Sequence, residues 1–450
     1  MRARKISPVD LTEECLAGIE ALNSVLNAFI TVTPESALRQ ARQAEREIQR
    51  GEWRGPLHGI PVALKDLIDT AGVLTTAGSA RFKERIPAED ADVVGRLRGA
   101  GAVLLGKQNL HEFAYGGSSL VSHYGAVRNP WNPAHISGGS SGGSAASVAA
   151  GLGYAAVGTD TAGSVREPAA FCGVVGLKPT YARVSVRGVI PLSSSLDHVG
   201  PITRTVADAA ILLRVMADPA ATDASGNVMS PPDGTGWQPG GSSNSLRVGI
   251  PRVFFYEDLD PEVAAAVDQA LSIIANLAAD TREVSLRVDT GRTLQLAESY
   301  SIHAEFVARH PELYQPETLR RIRAGQNISP AQIAESRDQL ERSRREIRQV
   351  FEEVDVLVTP TTPIAAPALA PLQEQPDRLR PAELVMLRNT RPFNVWGIPA
   401  ISVPCGVTRA GLPIGLQISG PHWGEASILQ LAHAYEQATE WHTRRPECRA

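Results

Sequence analysis

The chain has 450 residues, of which 43% are apolar and 20% charged, with a formal net charge of −4. These values are ordinary for a water-soluble globular protein with a sizeable core, and the length suggests two or three domains. The absence of a basic block points away from nucleic acid as a partner. Cys15, Cys172, Cys405 and Cys448 are scattered and form no Cys-x-x-Cys pair. That points away from a zinc site or disulfide framework and towards a reducing compartment.

The N-terminal MRARKISPVDLTEEC is basic but has no apolar run behind it, so no secretory signal is expected. No stretch reaches 18 apolar residues, so no membrane span is expected and the default location is cytoplasmic. Residues 10–24 have helical spacing, with Leu11, Cys15, Ile19 and Leu22 on one face; residues 35–50 form a second, charged helix. Then the texture changes. IPVALKDLIDT, GAVLLGKQN and GYAAVGTDTAG are short apolar runs that end in polar or small residues, alternating with helical stretches. Short buried strands alternating with helices predict an α/β sheet covered on both faces.

Residues 217–246 are rich in Pro, Gly and Ser and read as a linker. Residues 247–255 return to strand texture. Residues 261–350 are mostly helical and charged, with Arg interleaved with Glu and Asp, which predicts a solvated helical face and not an RNA-binding patch. VDVLVTPTTP and PAISVPCGV are strand-like, and a last helix spans about 425–439. The whole chain, 1–450, reads as one domain. Its core lies at about 52–216 and 386–442, with a helical insertion at about 261–385.

The chemistry concentrates in two stretches. ISGGSSGGSAASVAAG, residues 136–151, places four glycines around Ser140 and Ser141. Gly138–Gly142 formally matches G-x-S-x-G, but the prolines before it do not form the strand that a nucleophile elbow needs. A phosphate loop would need a Lys that is missing. Taken alone, the stretch is a glycine-rich turn before a helix. Twenty residues on, Ser164 lies in a tight Ala162-Gly163-Ser164 turn after an apolar run, where successive N–H groups can converge on an anion. Lys65 is a lone cation in the apolar run GIPVALKDLIDT; desolvation lowers the proton affinity of such a lysine.

With PVALKD, GGSSGGSAA and TDTAGSVREPAAFCGVVGLKPT, the chain resembles the amidase signature family. SLDHVGPITRTVADAA, NVWGIPAISVPCG and GLPIGLQISG resemble further family segments. The resemblance covers nearly the whole chain and is weakest at 217–246 and 261–385. It implies a three-layer α/β/α sandwich around one large mixed sheet, with an inserted helical lid. It also implies a Ser–Ser–Lys triad: Ser164 as acylated nucleophile, Ser140 as bridging serine on a cis peptide, and Lys65, neutral at rest, as final base. The N–H groups of Thr161, Ala162, Gly163 and Ser164 would form the oxyanion hole. Asp160 and Arg166 would order the turn, Ser141 would bond the lysine, Asn109 would support the site, and Tyr115 and Gly116 would lie along the substrate wall. No metal or organic cofactor is implied. The ten histidines form no metal-binding pattern, and Cys172 and Cys405 read as packing residues.

Two departures stand out. Ala162 replaces a glycine usual in the family, and would be strained if that position needed φ > 0. Glu167 stands where an apolar residue or Gln is common; it would either pair with Arg166 or face the pocket. For substrate, the resemblance offers a glutaminase subunit of a tRNA-dependent amidotransferase. Such a subunit reads the α-amino group of glutamine with an acid shortly before T-x-P-x-N. Here AELVMLRNTRPFN contains only Glu383, with Arg388 and Arg391 nearby. The expectation is therefore a stand-alone amidase, monomeric or homodimeric, acting on a small linear amide such as an anilide, or on a carbamate (urethane). The alternatives are the glutaminase subunit, a urea-derivative (allophanate-like) hydrolase, a partner-dependent subunit, or a degenerate member that only binds.

Overall fold

The computed structural model describes residues 1–3, 5–218 and 236–448. The expected linker falls mostly at 219–235, which lies outside the described residues.

Eleven strands form one mixed sheet. They are β1 (Phe29–Val32), β2 (Pro61–Lys65), β3 (Val103–Gln108), β4 (Ala155–Asp160), β5 (Val175–Lys178), β6 (His198–Thr203), β7 (Arg247–Ile250), β8 (Asp280–Glu283), β9 (Val356–Pro360), β10 (Ala400–Val407) and β11 (Pro413–Ser419). Their order across the sheet is β1-β3-β2-β4-β6-β5-β10-β11-β9-β7-β8. β3, β2 and β4 run parallel, as do β9, β7 and β8; the strands between them are antiparallel.

The central strands are buried along almost their whole length and largely apolar because both faces are covered. Side chains alternate between faces with period two. Val62 and Leu64 of β2, with Ala155 and Val157 of β4, enter one hydrophobic cluster. Ala63 and Ala156 enter the opposite one, against the helices Pro8–Leu26 and Gly142–Ala149. The two N-terminal helices have readable ends. Ser7 caps the first through Val9 and Asp10 N–H, and Gly51 in the left-handed region closes Pro34–Arg50.

Residues 261–385 hold the helices Pro261–Leu277, Thr293–Arg309 and Pro330–Glu353, and also β8 and β9, which extend the same sheet. Among the described residues no helix is long and apolar enough to cross a membrane.

Candidate active site

β2 and β4 are parallel neighbours, with Leu64 opposite Val157. Lys65 closes β2 and Asp160 closes β4, so the sheet carries both to one edge of the core. Lys65 has no solvent exposure. Its Nζ donates to Ser140 Oγ at 2.7 Å and to Thr159 Oγ1 at 2.9 Å. Burial lowers its pKa to about 7, against the opposing pull of the Asp160 and Asp197 carboxylates. Near neutral pH the amine therefore has a lone pair available for a proton.

The glycine-rich turn delivers Ser140 to that lysine. The Gly139–Ser140 peptide bond is cis. The chain is packed so closely here that a side chain on Gly143 would overlap the carbonyl oxygens of Ala28 and Asn109. Asn109 is a structural anchor: its carbonyl accepts Gly143 N–H, and its amide bridges Asn27 O and Gly125 O at 3.1 and 3.0 Å. Ser141 does not bond the lysine as expected. Its hydroxyl instead donates to Thr159 O at 3.1 Å, and Thr159 Oγ1 takes the place beside Nζ. Adjacent residues point different ways, so only one of the two serines faces the base.

Glu167 lies beneath the same turn. Its Oε2 accepts Gly139 N–H at 2.7 Å, and burial pushes its carboxyl well above the usual range. Arg166 pairs with Asp160 instead.

The turn after β4 is organised by Asp160. Oδ1 accepts Gly163 N–H at 2.8 Å and Oδ2 accepts Val165 N–H at 3.1 Å. Arg166 donates to both oxygens, at 2.9 and 3.0 Å, and both side chains are fully buried. Burial alone would raise the carboxyl; the Arg166 guanidinium outweighs it and holds Asp160 below the usual carboxylate range. Arg166 also reaches Thr390 O, Gln417 Oε1 and Asn394 Oδ1.

This arrangement corrects two expectations. Gly163 N–H is committed to Asp160, so it is not available to an oxyanion. Among the described residues the N–H groups of Thr161, Ala162 and Ser164 have no partner and remain open to one. Ala162 does not have positive φ, so a methyl group there is unstrained. The demanding position is Gly163, at φ +136°. Ser164 is buried, its carbonyl accepts Ser141 N–H at 3.2 Å, and its hydroxyl makes no hydrogen bond among the described residues. Lys65 and Ser140 are thus in direct contact. Ser164 lies against the same turn through its carbonyl.

Tyr115 is buried, with its hydroxyl 3.4 Å from Arg321 O, and Gly116 packs on the His111 ring. Cys172 is buried and donates to Ser137 O; burial pushes its thiol well up, which suits packing and not nucleophilic chemistry.

The sequence pattern does not single out Thr159, Asp197, Leu387, Thr390 or Asn394. Thr161 Oγ1 donates to Asp197 Oδ1 at 2.6 Å, and Thr390 Oγ1 donates to Ala162 O at 2.7 Å. Leu387 Cδ2 lies 3.0 Å from where a side chain on Gly163 would begin. Only the parity of β4 signals one of them: Thr159 and Thr161 share a face.

The family model described as Amidase matches residues 10–429 of this chain. The chain belongs to the amidase family. It is an amidase-signature amidohydrolase, a hydrolase acting on amides. The chain is 41% identical over 474 residues to the glutamyl-tRNA(Gln) amidotransferase A subunit of Chloroflexus aurantiacus, covering 99% of this chain and 96% of that one. The corresponding amidotransferase subunit from Thermotoga maritima superposes with a TM-score of 0.80 at 30% identity, covering 99% and 98% of the two chains. Native peptide amidase from Stenotrophomonas maltophilia gives 0.80 at 32% identity, covering 100% and 97%.

Proposed function

We propose that this chain is a stand-alone hydrolase of small linear amides that are not amino acids, and of carbamates, whose carbonyl offers the same target. The observation that carries the reading is the wholly buried Lys65 with Nζ 2.7 Å from Ser140 Oγ. Ser164 Oγ attacks the carbonyl carbon. Its proton passes to Ser140 as that hydroxyl's own proton passes to Lys65 Nζ. The oxyanion is held by the open N–H groups of Thr161, Ala162 and Ser164. On collapse the C–N bond breaks, and the proton returns from Lys65 through Ser140 to the leaving amine. Water then repeats the sequence on the acyl-enzyme and frees Ser164.

The acyl side favours an apolar group. Leu387 stands over Gly163 and also packs against Gly117, at 3.1 Å from where a side chain there would begin. A glutamine α-ammonium would need a free acid nearby. Glu383 is buried, ion-paired with Arg321 at 2.7 Å and bonded by Ser118 Oγ at 2.7 Å. A carboxylate already neutralised in this way offers little to a second cation.

The test is a panel of an aryl anilide, an aliphatic amide, an aryl carbamate, a urea derivative and glutamine, with Ser164→Ala as control. Amine or ammonia release and the mass of the acyl adduct are read. Release from anilide or carbamate, lost in the variant, supports the reading. The amidotransferase relatives favour a second reading, a glutaminase partnered by other chains. Ammonia from glutamine alone would select it.

A further inference from the structure

Asp197 is a buried carboxyl that the mechanism above does not use. It lies just before β6, at 8% exposure, and Oδ1 accepts the Thr161 hydroxyl at 2.6 Å. Oδ2 accepts Leu192 N–H at 2.9 Å and Ser193 N–H at 3.0 Å, which fixes the carboxyl to the loop that covers this end of β4. That loop is itself held from outside. Glu298 on the helix Thr293–Arg309 accepts the hydroxyls of Ser193 and Ser195, and Arg344 Nη2 donates to Ser195 O at 2.7 Å.

Thr159 and Thr161 project from the same face of the chain, one bonded to Lys65 and the other to Asp197. Between them lies a small enclosed cavity of about 10 Å³, lined by Thr159, Thr161, Asp197 and His198 with Ala114 and Leu192. Val186, Val189 and Ile190 make the rest of its wall apolar, and its volume suits at most one water. We propose that Asp197 is a positioning residue: it anchors Thr161, and with it the first N–H of the oxyanion turn, while its charge across this cavity supports the proton affinity of Lys65.

The electrostatic surroundings permit a clean test. The carboxylates that act on Lys65 are Asp160 and Asp197. Asp160 stays ionised through its pair with Arg166. His111 and His198 are buried and held neutral, chiefly by burial. Glu298 and Tyr181 face Asp197 from the loop side, and burial together with Glu298 pushes Asp197 upward, to about 6. Removing the Asp197 charge should therefore move the Lys65 titration downward.

The proposal rests on the serine–lysine reading, so the experiment avoids any choice of substrate. Phenylmethanesulfonyl fluoride is the probe. Ser164 Oγ forms a bond to sulfur, the S–F bond breaks and fluoride leaves, and the serine proton goes to Lys65 through Ser140. The rate is followed by intact mass from pH 5 to 9. Wild type should label with a midpoint near neutral pH, and Ser164→Ala should not label. In Asp197→Asn the midpoint should fall by about 1 pH unit, as expected for loss of one opposite charge near a buried site, and the plateau rate should fall about tenfold. An unmoved midpoint would overturn the proposal. Wild type that does not label, or labels equally in Ser164→Ala, overturns the serine–lysine reading and the proposal with it. Thr161→Val covers the case where Asp197→Asn does not fold. It loses the anchor and with it the hydrogen bond that favours the Asp197 carboxylate, so its plateau should fall, its midpoint should move down by no more than in Asp197→Asn, and Thr161→Ser should restore both. A wild-type plateau in Thr161→Val would overturn the anchoring role.

Discussion

Thr390 Oγ1 occupies the space that a side chain on Gly163 would need, while donating a hydrogen bond to Ala162 O at 2.7 Å. A residue 228 positions away thus fills the crowded side of the turn and leaves Ala162 unconstrained. Gly163→Ala should cost about 2 kcal/mol or more in urea unfolding, from positive φ and overlap together. It should lower kcat/KM about 100-fold, because the shifted turn carries the neighbouring Ala162 and Ser164 N–H donors away from the oxyanion. Ala162→Gly should stay within about threefold of wild type in activity and lose about 0.5–1 kcal/mol. Equal damage from the two changes would contradict this assignment of the turn.

Lys65 should govern both rate and stability with pH. Below a pKa of about 7 the ammonium cannot accept the relay proton, so kcat/KM should fall about tenfold per pH unit. The stability effect has a definite sign. The pKa is lowered on folding from 10.5 to about 7, so between those values the unfolded chain binds the extra proton. The cost of burying Lys65 therefore shrinks as pH rises through that window, by about 1.4 kcal/mol per unit. Lys65→Met should be inactive and more stable than wild type below pH 7, with the gap closing towards pH 10. A gap that is constant with pH would count against a depressed lysine.

Asp160→Asn should leave Arg166 buried without its countercharge. The expected cost is about 3–5 kcal/mol, read as a lower urea midpoint, with loss of activity because the new NH2 group must face either Gly163 N–H or Val165 N–H, one of which loses its acceptor. Combining it with Arg166→Met should cost less than the sum of the single changes, because both break one network.

Leu387 sets the depth of the acyl pocket in the proposed function. Leu387→Ala should raise the ratio of kcat/KM for a branched acyl anilide over an acetanilide by about tenfold. An unchanged ratio would place the acyl group elsewhere.

Chemistry that is local in sequence was the legible part of this site. Lys65, Ser140 and Asp160–Arg166 sit in short motifs, and an apolar run ending in a charged residue marks a strand that delivers it. What tertiary structure supplies was hidden. Asp197 meets Thr161 across 36 positions through the pairing of β4 with β6, and Asn394, on the short helix Arg391–Val395, meets Asp160 across 234, neither of which any local pattern encodes. Ser141 shows the same limit at short range: its neighbour differs from it only in direction. β8, with the polar sequence DTRE and mostly exposed residues, lacks the apolar alternation of a strand and joins the sheet edge only because β7 is beside it.

The parallel pairing of β2 and β4 has a consequence for how such a protein diversifies. The bond from Lys65 to Thr159 spans 94 positions, yet it is held in place by the backbone ladder between adjacent strands. The residues over the turn, Leu387 and Thr390, come instead from the far end of the chain, just beyond the helix Pro376–Met386. Selection can therefore rewrite the pocket at Leu387, which meets the turn through apolar contact, without retuning the base, whereas Thr390 and Asn394 stay tied to the turn. New amide preferences become accessible in single steps, while the proton-transfer apparatus is inherited unchanged.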